Sequence, residues 1–80
     1  MDWFVYILEC KDGKLYTGIT NDLDRRLKQH ARGQGCRFTK FRIPVKLIYN
    51  EIYSSKESAL KREAEIKGWK RGRKLELLSL

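Results

Sequence analysis

Alternation of apolar and polar positions predicts a hairpin at the start of the chain. Trp3 to Cys10 is apolar at both alternating sets, Trp3, Val5, Ile7 and Phe4, Tyr6, Leu8, the pattern of a strand covered on both faces and therefore central in its sheet. Leu15 to Thr20 reads as the second strand, with Asp12-Gly13 as the turn signal between them. Gly18 inside that strand implies a bulge or a close backbone approach. A two-residue loop would set Lys11 opposite Lys14 and send Tyr6 and Tyr16 to opposite faces. A three-residue loop with a bulge shifts the register by one and brings both phenols to one face; a site that uses both phenols needs this second arrangement, so an irregular hairpin is expected.

A helix from Asp22 to Ala31, capped by Asn21, follows from Leu23, Leu27 and His30 recurring on one face with Arg26 at its edge; the glycines at 33 and 35 end it. Gly33 to Pro44 is too rich in glycine and basic residues to be regular. A third strand, Val45 to Tyr53, places Val45, Leu47 and Tyr49 on one side and Lys46, Ile48 and Asn50 on the other. Ser54 to Glu57 is a capping box with Ser54 as cap, opening a helix that runs to Trp69. Arg71 to Leu80 reads as a short last helix whose Leu75, Leu77, Leu78 and Leu80 supply apolar surface. The expected fold is α+β, one domain over residues 1–80, with a three-stranded antiparallel sheet flanked by three helices.

Composition narrows the function classes. Eighty residues support one small core. No apolar run approaches the roughly 20 residues needed to cross a bilayer, and the start lacks a secretory pattern, so a cytoplasmic monomer without membrane contact is expected. Cys10 and Cys36 have neither zinc-ligand nor disulfide-framework spacing. The net charge is +8; Arg25 to Lys46 holds eight Lys or Arg and no acid, and Lys67 to Lys74 five more. Such a stripe suits a polyanion, through phosphate contacts that release counterions, or else is a solubilising surface. Arg37, Lys40 and Arg42, interleaved with Phe38 and Phe41, read either as a phosphate and base contact or as a loop pinned to the core, the latter preferred for Phe41. Arg25, Lys28 and Lys67 extend the basic surface.

Glu63 falls inside the apolar arc that Ala59, Leu60 and Ile66 define on the second long helix, and a carboxylate there needs a partner. It either pairs with Lys67 four residues on or binds a divalent cation. Arg26 offers a planar donor set for phosphate, or is simply solvated. His30, one turn on, either orients or deprotonates a phenol as a neutral imidazole or sits as a cation near a helix C-terminus. Tyr6 and Tyr16, taken singly, are ordinary strand aromatics.

Together, Val5-Tyr6-Ile7, Tyr16-Thr17-Gly18, Arg26, His30 and Glu63, with GITNDLDRRLKQH, Gly33-x-Gly35 and EAEIKGW, resemble the GIY-YIG nucleases, and within them the short stand-alone YhbQ-like branch. The resemblance implies an endonuclease that hydrolyses phosphodiester bonds in branched, nicked or single-stranded DNA, with RNA as an alternative substrate and repair as the setting. It implies Mg²⁺ or Mn²⁺ held by Glu63, catalysis by Tyr6, Tyr16, Arg26 and His30, and Gly18 as a point of backbone approach to substrate. Tyr6 is the favoured base, Tyr16 the phosphate-positioning donor, and cationic neighbours are expected to lower the phenol's pKa. The chain departs from some members in having no asparagine after Trp69, Ile19 rather than a polar residue after Gly18, and no DNA-targeting domain, which leaves specificity to the basic loop, a protein partner or substrate shape. The rivals are a catalytically silent nucleic-acid-binding module and a protein-docking adaptor.

Overall fold

Val5, Tyr6, Ile7 and Leu8 are each at most 1% exposed, and four successive buried side chains require cover on both faces of a strand. A computed structural model, which describes residues 1–79, supplies it: β1 (Trp3–Cys10) lies between β2 (Leu15–Thr20) and β3 (Val45–Tyr53) in an antiparallel sheet of order β2-β1-β3. The hairpin is the irregular one. Cys10 N–H donates to the Lys14 carbonyl and Gly13 N–H to the Cys10 carbonyl, both at 2.9 Å, leaving a three-residue loop closed by Gly13 at φ +83°. Tyr6 then stands opposite Gly18 and Leu8 opposite Tyr16, so both phenols share one face.

Pairing of β1 with β3 shifts between Ile7, opposite Tyr49, and Leu8, opposite Leu47, which makes Ile48 an extra residue. Leu47 and Tyr49 therefore do not share the face that strict alternation assigns them. Ile48 and Tyr49 instead both pack on the core formed by Val5, Ile7, Ala59, Ile66 and Leu77.

Helices cover both sheet faces. Ala59 and Ile66 come from α3 (Lys56–Lys67), and Leu77 from a 3₁₀ turn (Leu77–Ser79) that follows α4 (Arg71–Glu76). On the phenol face, α1 (Leu23–Ala31) brings His30 against Tyr6 and Tyr16. Both long helices start one residue later than the sequence pattern suggests. Asp22, not Asn21, caps α1 by accepting from Arg25 N–H at 3.1 Å, and Ser55, not Ser54, caps α3 by accepting from Ser58 N–H at 3.2 Å. Lys67 ends α3, with Gly68 as its cap. The stretch expected to be irregular contains one helical turn, α2 (Arg37–Lys40). Two further expectations fail on exposure: Leu60 is 43% exposed, outside the buried arc, and Phe41 at 79% pins nothing to the core. Leu80 lies outside the described residues.

On the core side, β3 is clasped to α3 through Glu51. Its carboxylate accepts from the Tyr53 hydroxyl at 2.7 Å, from the Tyr49 hydroxyl, and from two Arg62 nitrogens at 3.0 and 3.1 Å. Burial works to raise the Glu51 pKa, but these bonds outweigh it and hold the group below its ordinary value; Tyr49, buried and donating to a carboxylate, is pushed up to about 12. Arg62 also lies over the Trp69 ring, 5.0 Å from its centroid. We expect Glu51→Gln to lower unfolding free energy by about 2 kcal/mol and Tyr53→Phe by about 1, read from urea midpoints at neutral pH.

Candidate active site

Tyr6 is fully buried, and its burial explains the glycine facing it. A Cβ at position 18 would lie 2.7 Å from the Tyr6 hydroxyl and 2.9 Å from Tyr16 Cε2. Strand pairing is regular past Gly18, so there is no bulge there. The close approach that the glycine permits in this structure is that of Tyr6 itself.

From Tyr6 a directed chain of hydrogen bonds runs inward. Arg26 Nε, which can only donate, lies 3.4 Å from the Tyr6 oxygen. With the proton assigned so that each buried hydroxyl finds an acceptor, the phenol donates to His30 Nε2 at 2.9 Å. His30 must then carry a hydrogen on Nδ1, which it donates to Thr39 Oγ1 at 2.8 Å, and the Thr39 hydroxyl donates onward to the Cys36 carbonyl at 3.4 Å. This tautomer is the assignment that gives both buried hydroxyl protons an acceptor, with donor-only Arg26 at one end of the network and the Cys36 carbonyl at the other. His30 is 0% exposed, which settles the two readings of its charge. Burial first, and the Arg26 charge second, lower its pKa from 6.5 to about 4, so the imidazole is neutral at pH 7.

Tyr16 occupies the outer part of the same face. Its ring centroid is 6.2 Å from Tyr6, 5.4 Å from His30 and 5.8 Å from Phe38, on which it stacks. Arg42 lies over Phe38 at 4.3 Å and is also held by Asp12 at 3.0 Å and by the Phe38 carbonyl at 2.7 Å, so its guanidinium fastens α2 to the hairpin turn. Both phenols have raised pKa values. For Tyr6, burial outweighs the Arg26 hydrogen bond and charge, so among the cations expected to lower its pKa the protein's own do not suffice without a metal ion; for Tyr16, burial is joined by Tyr6 and the Cys36 thiol.

Glu63 shares the side of α3 that carries buried Ala59 and Ile66, with 17% of its side chain exposed, and pairs with Lys67 at 3.2 Å. The ion pair exists, yet Lys67 is itself 52% exposed and does not close the carboxylate off. Glu63 is near enough to contribute to the raised pKa of Tyr6. Among the described residues no group of three or more His, Cys, Asp or Glu forms a metal cage. A lone hard carboxylate fits Mg²⁺ or Mn²⁺, ions that keep several waters and share the rest of their shell with phosphate, and does not fit zinc or a calcium cage.

Arg25, Lys28, Arg37 and Lys40 are exposed, as a phosphate-contacting surface requires. Sequence reasoning gave Thr39, Cys36 and Gly35 no place at the site. A Cβ on Gly35 would fall 2.1 Å from His30 Nδ1. Only contact across the fold reveals these, because no spacing rule links position 30 to 35 or 39.

His30 makes stability depend on pH. Between about 6.5 and 4 the unfolded chain takes up a proton that the folded one refuses. Stability therefore falls as pH drops through that window, by about 3 kcal/mol in all. We expect urea midpoints to show this slope in the wild type and to lose most of it in His30→Gln, which separates it from the same-signed contributions of Asp12 and Glu51.

A family model described as the GIY-YIG catalytic domain matches residues 2–76. The chain belongs to the GIY-YIG family. Among relatives, it is 50% identical over 76 residues to the UPF0213 protein SSP2268 of Staphylococcus saprophyticus, covering 95% of this chain and 93% of that one. It is 53% identical over 75 residues to a UPF0213 protein of Staphylococcus aureus, covering 94% and 92%. The fold is similar to the solution NMR structure of the UPF0213 protein BH0048 from Bacillus halodurans, with TM-score 0.64, 48% identity and coverage of 99% of this chain and 84% of that one. It is also similar to the protein EF2693 from E. faecalis, with TM-score 0.68, 33% identity and the same coverage. Membership of the GIY-YIG family points to a nuclease-type function, and no described helix is long and apolar enough to cross a membrane.

Proposed function

We propose that this GIY-YIG chain is a divalent-metal-dependent endonuclease that hydrolyses phosphodiester bonds in DNA. The observation that carries the reading is the directed bond chain from Arg26 through Tyr6 to neutral His30 and Thr39. A buried phenol with a raised pKa is a poor base alone, since even an ordinary tyrosine costs about 4 kcal/mol to ionise at neutral pH. Tyr6 need not ionise. Tyr6 is covered in the free protein, so substrate binding must open a path to it; as water then attacks phosphorus in line, its proton passes to the Tyr6 oxygen while the phenolic proton passes to His30 Nε2, leaving a neutral phenol and an imidazolium. That imidazolium costs about 4 kcal/mol at pH 7 in the free protein, and an anionic phosphate nearby lowers the cost. Arg26 offers its remaining N–H groups to a non-bridging oxygen, and Tyr16 donates to the same phosphate. Glu63 would hold the divalent ion, which supplies charge stabilisation of the phosphate and leaving oxygen. Arg25, Lys28, Arg37 and Lys40 contact the flanking backbone.

A second reading, the silent binding module, has the Glu63–Lys67 pair in its favour. The two separate in a nicking assay on supercoiled plasmid and branched oligonucleotides with Mg²⁺, Mn²⁺ or chelator. We expect metal-dependent nicking by the wild type that Arg26→Ala and Glu63→Gln suppress. Retained binding with no metal-dependent cleavage in any of the three proteins overturns the enzymatic reading.

A further inference from the structure

Phe41 is 79% exposed, and Ile43 and Pro44 beside it are exposed as well, so three apolar residues stand out from the turn that follows α2. On a loose loop such side chains would fold back onto the body. This turn is fixed at both ends. Thr39, two residues before Phe41, is fully buried against His30. Arg42, between Phe41 and Ile43, turns inward: its N–H donates to the Thr39 carbonyl at 3.0 Å, its carbonyl accepts from Lys11 N–H at 2.9 Å, and its guanidinium is bonded to Asp12 and to the Phe38 carbonyl. Phe41 is thereby held away from the core. Unlike Phe38, it stacks on no other ring among the described residues; its one neighbour is the exposed Lys40 ammonium, 5.5 Å from the ring centroid on a flexible stem that can swing aside.

The surroundings are cationic. Arg25 to Lys46 contains no acid, Asp12 on the hairpin is spent on Arg42, and among the described residues Lys11, Arg37 and Lys40 take part in no salt bridge. A phosphate backbone alone gains nothing from a rigid phenyl ring held in water. Phe, Ile and Pro set among free cations are, however, the side chains that unstack a base step in duplex DNA while lysines and arginines hold the flanking phosphates. We propose that Phe41, backed by Ile43, is a wedge that enters one base step of a duplex and kinks it, with Lys11, Arg37 and Lys40 on the adjoining phosphates. Sites are then chosen by how readily a step unstacks, TA before the stiff steps of an A-tract, without any hydrogen bond to a base edge. Because Thr39 ties this turn to His30, the kink lies at a fixed offset from Tyr6. That the kink presents a phosphate for cutting rests on the nuclease reading above; the wedge does not.

The test is metal-free, so that catalysis plays no part in it. Energy transfer between end-labels on a duplex of about 20 base pairs, with a central TA step or a central A-tract, reads bending while anisotropy reads affinity. The wild type should bend the TA duplex by at least about 20° and bind it on the order of fivefold more tightly than the A-tract. Phe41→Ala should abolish the bend and the preference but leave the log-log salt slope unchanged, since no phosphate contact is lost. Arg37→Gln/Lys40→Gln should instead reduce that slope by about 1.8. Leu60→Ala, which removes an exposed apolar side chain on α3, should match the wild type throughout. A wild type that binds no duplex or leaves it straight, or a Phe41→Ala protein that bends as the wild type does, overturns the proposal. So does Phe41-dependent sedimentation with phosphatidylserine vesicles alongside a straight duplex, which would assign the turn to a membrane surface. Phe41-dependent bending without cleavage at any metal concentration refutes the nuclease reading alone; cleavage of a duplex that stays straight refutes the wedge alone.

Discussion

Replacing Arg26 with alanine is expected to lower the rate of Mg²⁺-dependent nicking by about 10²- to 10³-fold, the usual effect of removing one donor aimed at developing oxyanion charge. The size follows from its place in the site. Arg26 is half-buried, its Nε is committed to the Tyr6 oxygen and its Nη1 to Gln29 at 3.1 Å, so the guanidinium plane is held before substrate arrives. Arg26→Lys should recover little, because an ammonium is a compact point charge without the rigid planar fork that aims separate N–H groups at Tyr6 and at a phosphate oxygen. Glu63→Gln should act differently, raising the Mg²⁺ concentration needed for half-maximal rate. Lys67→Ala sharpens the comparison. If Glu63 serves only its ion pair, removing Lys67 leaves metal dependence unchanged. If Glu63 holds the ion, losing a competing cation 3.2 Å away should lower the half-maximal Mg²⁺ concentration. A single-turnover nicking assay across a metal titration reads all four variants, and an Arg26→Ala rate within a factor of about three of wild type would remove the guanidinium from the chemistry.

Much of the scaffold was legible because its determinants are local. All three strands run between the residues that apolar patterning assigns, whereas Asp12-Gly13 allows two loop lengths, and the placement of both phenols on one sheet face was expected only because the candidate site needs them together. Cap positions slipped by one because Asn21-Asp22 and Ser54-Ser55 each offer two adjacent capping side chains, and the choice depends on which backbone is extended. The shift at Ile48 was invisible, since a bulge leaves no mark in an apolar run. The site divides the same way. Arg26 and His30 one turn apart, and Glu63 on a buried arc, are readable from helical periodicity. Charge state is not: whether Tyr6 is a stronger or weaker acid depends on burial against the Arg26 contact, and burial belongs to the whole fold. Phe38 shows the limit well. Sequence offered it as a base-stacking side chain; the fold spends that stacking on Tyr16 and Arg42.

The largest stability effect is expected from a residue that looks like punctuation. In the sequence Gly35 merely closes the end of a helix, but a methyl group there would sit 2.1 Å from His30 Nδ1, 2.4 Å from Cγ and 2.6 Å from Cε1. The imidazole cannot step aside, because it is wholly buried, bonded at one nitrogen to Tyr6 and at the other to Thr39, and flanked by the Tyr16 ring. Gly35→Ala must therefore either displace the loop or expel His30, leaving two buried hydroxyls short of a partner; the cost should be about 3 kcal/mol or more. For a domain of this size that is a fall in Tm on the order of 10 to 20 °C. Gly72→Ala is the control. It lies in α4 with nothing within 4 Å of its added Cβ, so the change should be neutral or stabilising by up to about 1 kcal/mol. Thermal unfolding of the two variants, with acid-limb urea midpoints alongside, distinguishes the two ways Gly35→Ala can fail. Expulsion of His30 into solvent restores its ordinary pKa and removes the stability loss between pH 6.5 and 4, whereas a displaced loop lowers stability and leaves the slope in place. Either outcome locates the strain at the imidazole, and a Gly35→Ala protein as stable as wild type would show that the ring has room it does not have in this packing.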